Sequence, residues 1–259
     1  MEKQCPEAGQ QVRSILNSEP QTVAVGITPP FSCSYFAERQ EQLIVIQQEL
    51  LQLPLYERLL AMGFRRSGEA VYRPHCPGCQ ACQSLRIPLA DFKPSQRQKR
   101  TLAHNQDLDV RITDSYQDAH YALYDRYIRT RHQDGSMYPP SLEQYQHFLS
   151  SQWLQPRFIE LLLHGQLVGV AVTDVLPNSL SAVYSYFDPD MEKRSLGSMM
   201  ILTQCRLAQE WRKQYLYLGY QIDNHPKMDY KRLYRPYEIL TEQGWEKSDC
   251  LASHPLHTR

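Results

Sequence analysis

The segment FIELLLHGQLVGVAVTDVLPNSLSAVYSYF, residues 158–187, decides the fold. Its apolar runs are short, and they are separated by turn residues at 164–165 and 177–178. Runs of this length between such turns are typical of strands joined by hairpins. The segment therefore predicts an antiparallel meander whose three strands are Phe158–Leu163, Gln166–Val175 and Ala182–Phe187.

A loop at Asp188–Ser195, a long amphipathic helix at Leu196–Trp211 and a buried strand at Leu216–Gly219 follow the meander. This order of elements is the core order of the GCN5-related acyltransferase fold, in which two adjacent strands splay at the active site. The sequence thus predicts an α/β (α+β) protein with two parts. A GCN5-related acyltransferase-like domain occupies residues 106–259, and a smaller N-terminal subdomain with a cysteine loop occupies residues 1–105.

The loop before the long helix suits a phosphate. A helix N-terminus attracts anions through its free N–H groups and its dipole. Ser195, Gly197 and Ser198 are the residues expected to line it. Met199 stands where acyl-CoA enzymes carry a second glycine or another small residue, which disfavours a CoA pyrophosphate and leaves room for another phosphate.

The 259 residues include 28 Lys and Arg against 28 Asp and Glu, so the net charge is zero. A neutral total excludes an indiscriminately basic nucleic-acid binder. The charge is nevertheless segregated, because residues 57–100 carry nine basic and three acidic side chains and residues 192–235 carry nine and four. These two basic blocks, interleaved with aromatic residues, either converge into one polyanion-binding face or form solvated helix faces.

No apolar run approaches the roughly 20 residues of a membrane helix, and residues 1–10 lack the apolar stretch of a signal peptide. We therefore expect a cytoplasmic protein with no membrane partner and with reduced thiols. The segment Cys76-Pro-Gly-Cys79-Gln-Ala-Cys82 lets three sulfurs converge on one centre, and Cys33 is a candidate for the fourth. Zinc or an iron–sulfur cluster suits this set. The alternative is a packed loop of reduced thiols.

Specific motifs run through the chain from about residue 31 to residue 245. They are Cys33-Ser-Tyr35, Gly63-Phe-Arg65-Arg66-Ser-Gly68, Tyr72-Arg73-Pro74, the Cys76–Cys82 loop, Leu85-Arg86-Ile-Pro88, Tyr124-Asp-Arg126-Tyr127, His132-Gln-Asp134-Gly135, Tyr217-Leu-Gly219-Tyr220, Lys227-Met228, Tyr230-Lys231 and Arg235-Pro236. Together they resemble the arginyl-tRNA–protein transferase family. The short chain and the three-cysteine loop are most similar to its bacterial aspartate/glutamate leucyltransferase branch.

The resemblance implies a reaction and two substrates. An aminoacyl group, leucine in the bacterial branch, moves from leucyl-tRNA to the α-amine of a protein beginning with Asp or Glu, which marks that protein for degradation. No cofactor is required for the transfer. The alternatives are the same reaction with arginine from arginyl-tRNA and an acyl-CoA-dependent N-acyltransferase. A non-enzymatic zinc-ribbon RNA-binding module is a further alternative, which the cysteine loop favours.

Candidate site residues follow from this chemistry. Arg65, Arg66 and Arg73 are candidates for binding the acidic side chain, because a guanidinium binds a carboxylate through two hydrogen bonds. His132 and Asp134 are the candidate catalytic pair that orients or deprotonates the amine. The residues expected to hold the tRNA end are Tyr220, Lys227, Tyr230 and Lys231, together with the phosphate loop. Surface ion pairs and capping roles are the alternatives for all of these side chains.

Overall fold

The computed structural model describes residues 23–135 and 137–248. Its strands are β1 (Val25–Ile27), β2 (Phe31–Ser32), β3 (Gln40–Glu41), β4 (Leu43–Ile46), β5 (Arg65–Ser67), β6 (Ala70–Pro74), β7 (Gln83–Pro88), β8 (Leu108–Thr113), β9 (Arg157–Leu163), β10 (Gln166–Val175), β11 (Ser179–Phe187), β12 (Tyr215–Gln221), β13 (Glu238–Thr241) and β14 (Gly244–Lys247). Its α-helices are α1 (Leu53–Ala61), α2 (Gln96–His104), α3 (Asp118–Arg131), α4 (Leu142–Leu149) and α5 (Leu196–Glu210).

The predicted meander is present as β9, β10 and β11, which pair antiparallel through both hairpins. The segment Pro189–Arg194, predicted as a loop, forms a 3-10 helix that leads into α5. Strand β12 then returns parallel to β11, as a strand–helix–strand crossover requires. These elements confirm the mixed α/β class and the acyltransferase-like order predicted from the sequence.

The large sheet has eight strands in the order β14-β13-β7-β12-β11-β10-β9-β8. Strand β7 comes from before residue 105, so the sheet includes chain from both sides of the boundary predicted there. The division of the chain at that residue stays a prediction. A smaller sheet, β1-β4-β6-β5, is formed by the N-terminal part of the described chain.

Helices cover both faces of the large sheet because neighbouring side chains of a strand point in opposite directions. On β10, Val172 packs with α3 and α4, whereas Ala171 packs with α5. Ten of the 15 residues of α5 are buried, because the sheet lies on one side and α2 lies on another. Within the described residues, no helix is both long and apolar enough to cross a membrane.

A buried ion pair joins the small sheet to the large one. Arg66 on β5 donates from Nε and Nη2 to the Asp174 carboxylate on β10, at 2.9 and 2.7 Å. Tyr56 of α1 donates a third hydrogen bond to Asp174, at 3.0 Å. Both charged side chains are fully buried. This anchor fixes β5, and therefore the neighbouring Arg65, against the centre of the large sheet.

Candidate active site

The candidate site lies where β11 and β12 separate. The two strands pair only over Ser179–Ser181 and Tyr215–Tyr217 and diverge beyond that point. Arg65 reaches into the opening, where its Nη2 donates to the carbonyl oxygen of Ala182 at 2.8 Å. The opening between these strands is therefore occupied by a cation from the small sheet.

Gly219 allows Arg65 to take this position. Its φ is +79°, and the β12–β7 register shifts between Tyr217 and Gly219. A Cβ atom on residue 219 would lie 1.4 Å from Nη1 of Arg65. Glycine is thus required both by the backbone conformation and by the close approach of the guanidinium. In the sequence, this glycine belongs to Tyr217-Leu-Gly219-Tyr220, one of the motifs that carry the family resemblance.

We expect Gly219→Ala to abolish most of the activity and to lower stability. The new methyl group displaces the Arg65 guanidinium, and a positive φ adds a cost of about 1 kcal/mol or more for a non-glycine residue. Assays of the predicted aminoacyl transfer and urea unfolding measure the two effects. Gly165→Ala is the matched control, because Gly165 also has a positive φ, of +80°, but its Cβ would meet nothing within 4 Å. Equal activity in the two variants would contradict the role assigned to the Arg65 position.

Lys231 is the second cation at this point. It lies on the 3-10 helix Asp229–Leu233 and is only 8% exposed. Its Nζ donates to the backbone carbonyl of Tyr220 and lies 3.5 Å from the sulfur of Met228. Burial and, to a lesser degree, the charge of Arg65 lower the pKa of Lys231 to about 7.

Tyr220 holds the local backbone together. Its hydroxyl donates to the carbonyl of Gly63 at 2.9 Å, while its own carbonyl accepts from Lys231. Burial raises the pKa of its hydroxyl well above the usual range. The predicted substrate-binding role of its side chain therefore has a structural alternative, in which Tyr220 ties β12 to the segment that carries Arg65.

The other two candidate arginines are placed differently. Arg66 is engaged at every guanidinium nitrogen, by Asp174 and by the carbonyl of Gly68, and is buried. This arrangement corrects the expectation that Arg66 binds substrate, because no donor nitrogen is free to reach a ligand. Arg73 is half-buried and donates to the carbonyl of Met62 at 3.0 Å.

The central and C-terminal motifs meet in the structure. Asp134 accepts a hydrogen bond at 2.8 Å from Lys227, and both side chains are exposed. His132 ends α3, and its Nε2 lies 3.1 Å from the hydroxyl of Tyr127. Partial burial and then the charge of Lys227 lower the pKa of His132. His132 is therefore a neutral imidazole at pH 7 that is able to accept a proton.

The phosphate loop lies beside the open end of β11. Ser195 is exposed with a φ of +53°, and a Cβ on Gly197 would lie 3.3 Å from the ring of Phe187. Ser198 is half-buried at the start of α5. Arg194 is not free for an anion, because it binds the Asp107 carboxylate through two hydrogen bonds of 2.8 Å. The loop thus offers backbone N–H groups and hydroxyls.

The cysteine loop brings its thiols near one another. Cys33, Cys76, Cys79 and Cys82 are all half-buried. Burial, followed by the charges of the other three thiols, raises the pKa of Cys82 to about 12. In the described part of the chain, however, no three His, Cys, Asp or Glu side chains have the arrangement of a metal site. Cysteine thiols have the chemistry to bind a metal, and a metal at this loop stays a prediction.

The two basic blocks meet at α2. Gln98 of α2 donates to the backbone carbonyl of Leu233 at 3.2 Å. The exposed basic side chains around this junction are Lys93, Arg97, Lys99, Arg100 and Arg235. Two of them, Lys93 and Arg235, line an open cavity of about 430 Å³. Among the described residues, none of these five has a carboxylate partner within 4.0 Å, so we name them the basic face.

A splayed pair of strands, a helix N-terminus beside the opening, and a half-buried arginine and a buried lysine at that point define an acyltransferase-like fold. Two family descriptions match this chain: arginine-tRNA-protein transferase, N terminus, over residues 31–100, and arginine-tRNA-protein transferase, C terminus, over residues 119–241. The chain belongs to the arginine-tRNA-protein transferase family.

Relatives are similar over nearly their whole length. A protein of Shewanella putrefaciens strain CN-32 named aspartate/glutamate leucyltransferase is 62% identical over 232 residues, which cover 90% of this chain and 99% of that protein. A protein of the same name from Aeromonas hydrophila subsp. hydrophila is 50% identical over 226 residues, or 87% and 95% of the two chains.

Solved structures are more distant. A crystal structure of FemX has a TM-score of 0.48 at 8% identity, covering 74% of this chain and 67% of its own. The structure of L-PGS from Bacillus licheniformis has a TM-score of 0.42 at 10% identity, covering 68% and 52%. Neither likeness is close enough to carry a functional conclusion.

Proposed function

We propose that this protein is an aspartate/glutamate leucyltransferase, which moves leucine from leucyl-tRNA to the α-amine of proteins that begin with Asp or Glu. The observation that carries the proposal is the identity of 62% with a relative of that name over 99% of its length. The product is a protein marked for degradation through its new N-terminal residue. Because charged tRNA is made in the cytoplasm, the reaction belongs there.

The reaction balances without an added cofactor. The neutral α-amine attacks the carbonyl carbon of the aminoacyl ester, the carbon–nitrogen bond forms and the bond to the ribose oxygen breaks. The nitrogen loses one proton and the ribose oxygen gains one. The enzyme has to orient the two reactants, favour the neutral amine and stabilise the transient oxyanion.

We assign to His132 the removal of a proton from the α-ammonium group of the acceptor protein. Its depressed pKa leaves the imidazole neutral at pH 7, which is the form that accepts a proton from the α-ammonium group. Asp134 and Lys227, held together at 2.8 Å, order the loop that follows His132. We assign the tRNA end to the phosphate loop at Ser195, Gly197 and Ser198 and to the side chain of Tyr230.

The basic face is the surface we assign to the tRNA backbone. We expect an Arg97→Gln, Lys99→Gln, Arg100→Gln variant to bind leucyl-tRNA more weakly and with less salt dependence. Each lost phosphate contact should lower the slope of log affinity against log salt by about 1. Filter binding over a salt series measures the slope. Arg129→Gln, an exposed arginine outside both basic blocks, is the control. An unchanged slope in the triple variant would place tRNA elsewhere.

The deciding experiment supplies donors and acceptors in parallel. The protein is incubated with leucyl-tRNA or arginyl-tRNA and with peptides beginning Asp, Glu, Lys or Ala, and the peptide mass is followed. We expect leucine to be added to the Asp and Glu peptides alone. Addition of arginine would favour the arginyl alternative. Transfer from an acyl-CoA, with no transfer from charged tRNA, would establish the acyl-CoA alternative.

The cysteine loop carries a separate proposal, a bound zinc ion or iron–sulfur cluster. Metal analysis of the freshly purified protein, beside the Cys79→Ser variant, tests it. Stoichiometric metal that is lost in the variant would support it. A metal-free protein with full activity would leave the loop as a set of packed, reduced thiols.

A further inference from the structure

We propose that Arg65 and Lys231 together bind the side-chain carboxylate of the substrate's first residue and so determine the preference for Asp and Glu. This inference rests on the proposed transferase function and deepens it. It also distinguishes between the candidate arginines, because Arg66 is already engaged by Asp174.

The first observation is that both cations lack an acidic partner. Among the described residues, no Asp or Glu oxygen lies within 4.0 Å of Arg65 or Lys231, whereas the buried Arg66 and Arg86 are paired with Asp174 and Glu238. Lys231 is buried and Arg65 is half-buried, and a charge held away from water without a partner is unfavourable unless a ligand compensates it. The missing partner here is an anion.

The second observation is the hydrogen-bonding capacity left at the site. With the residues that the structure describes, the Arg65 guanidinium makes a single hydrogen bond, from Nη2 to Ala182, which leaves its remaining N–H donors for a carboxylate. Lys231 donates to Tyr220 and has further ammonium hydrogens available. Bidentate binding by arginine, assisted by a lysine, is the chemistry that recognises a carboxylate and rejects a neutral amide.

The side chains around Arg65 do not supply the anion that would pair with it. The charge of Arg65 acts on the hydroxyls of Tyr35, Tyr72 and Tyr230. Reduced contact with solvent raises the pKa of each hydroxyl, so all three are neutral at pH 7. Glu41 is the acidic side chain that acts on two of these tyrosines, but its Oε2 lies 3.4 Å from the hydroxyl of Ser34. Among the described residues, no carboxylate lies within ion-pair distance of the Arg65 guanidinium, so the position beside it is available to an acidic ligand.

The location is suited to catalysis as well as to binding. Only a short carbon chain separates the carboxylate of an N-terminal Asp from its α-nitrogen. A carboxylate held by Arg65, whose guanidinium occupies the opening between β11 and β12, therefore keeps that nitrogen close to this opening. Recognition of the acidic side chain and delivery of the amine are one event.

The test compares acidic peptides with their amides. We expect Arg65→Gln and Lys231→Met each to lower the ratio of kcat/KM for an Asp peptide to that for an Asn peptide by about 10-fold or more, because a charge-assisted hydrogen bond is lost. The conservative variant Arg65→Lys should retain part of the ratio. Arg58→Gln on α1, an exposed arginine, is the matched control and should leave the ratio unchanged.

The outcomes separate this inference from the proposed function. If no charged tRNA transfers its amino acid to any peptide, the proposed function fails. If leucine is transferred but both variants keep the wild-type preference for Asp over Asn, the assignment of Arg65 and Lys231 is overturned while the transferase function stands.

A measurement on the unaltered protein tests the lysine without relying on the folding of a variant. Reductive methylation followed by peptide mass analysis gives the rate at which Lys231 is modified. We expect the dipeptide Asp-Ala to slow modification of Lys231 and Asn-Ala to leave it unchanged. Equal rates with both dipeptides at saturating concentration would overturn the assignment.

Discussion

Replacing Asp174 with Asn is expected to lower the free energy of unfolding by about 3–5 kcal/mol, because it leaves the Arg66 charge buried without a partner. Arg66 and Asp174 are both fully buried, and their closest hydrogen bond is 2.7 Å long. The variant also loosens β5, which carries Arg65, so transfer activity should fall as well. Chemical denaturation in urea, with the protein concentration fixed, measures the change.

Asp125→Asn is the matched control for this prediction. Asp125 forms an exposed pair with Arg129 one helical turn away, at 2.8 Å. Such a pair is worth about 0.5 kcal/mol or less. A double variant, Arg66→Met with Asp174→Leu, should recover part of the lost stability because neither charge is left unpaired. A loss of less than about 1 kcal/mol in Asp174→Asn would show that water reaches the Arg66 charge.

Replacing Lys231 with Met is expected to have the opposite effect and to raise the free energy of unfolding. The pKa of Lys231 falls from 10.5 to about 7 on folding, so its charged form is disfavoured in the folded state. Removal of that charge should stabilise the protein by roughly 2–4 kcal/mol at pH 6. Thermal or urea unfolding of the two proteins measures the difference.

The pH dependence of this gain has a definite sign. Below pH 7 Lys231 is charged in both the folded and the unfolded protein, so the full cost of burying the charge is present. Between pH 7 and about 10.5 only the unfolded protein keeps the proton, and the wild type gains stability as the pH rises. The advantage of Lys231→Met should therefore shrink over this range.

Lys193→Met serves as the control, because Lys193 is exposed and its replacement should change stability by less than about 0.5 kcal/mol. A Lys231→Met protein that is less stable than the wild type at pH 6 would contradict the description of Lys231 as a destabilising cation. We expect Lys231→Met to be more stable than the wild type and to lose the preference for acidic peptides. This combination is typical of a residue that is retained for function at a cost in stability.

Much of the architecture follows from local patterns. The turns at 164–165 and 177–178 separate strand-length apolar runs, and the meander formed there as predicted. The capping Ser95 and the basic, apolar-poor segment after it formed α2. These features depend on neighbours in the chain, so the sequence contains the physical reason for them. The 3-10 helix at Pro189–Arg194 was not predicted, because short irregular helices have weak signals.

The motifs located the candidate site but did not distinguish its members. Arg65 and Arg66 are adjacent in sequence and identical in chemistry, yet neighbouring strand residues face opposite directions. One therefore forms a buried ion pair with Asp174, while the other reaches the opening beside Gly219.

The sequence by itself determined the order of the meander, the long helix and the strand after it, the family, and the positions of the two basic blocks, because each depends on contiguous residues. Only the tertiary structure decided which charges are paired. The sequence makes Lys231 a candidate for holding the tRNA end or a surface charge, and its burial beside Arg65 depends on segments more than 150 residues apart in the chain. A charge acquires its function from the partner it has or lacks, and that is a property of contacts between distant residues.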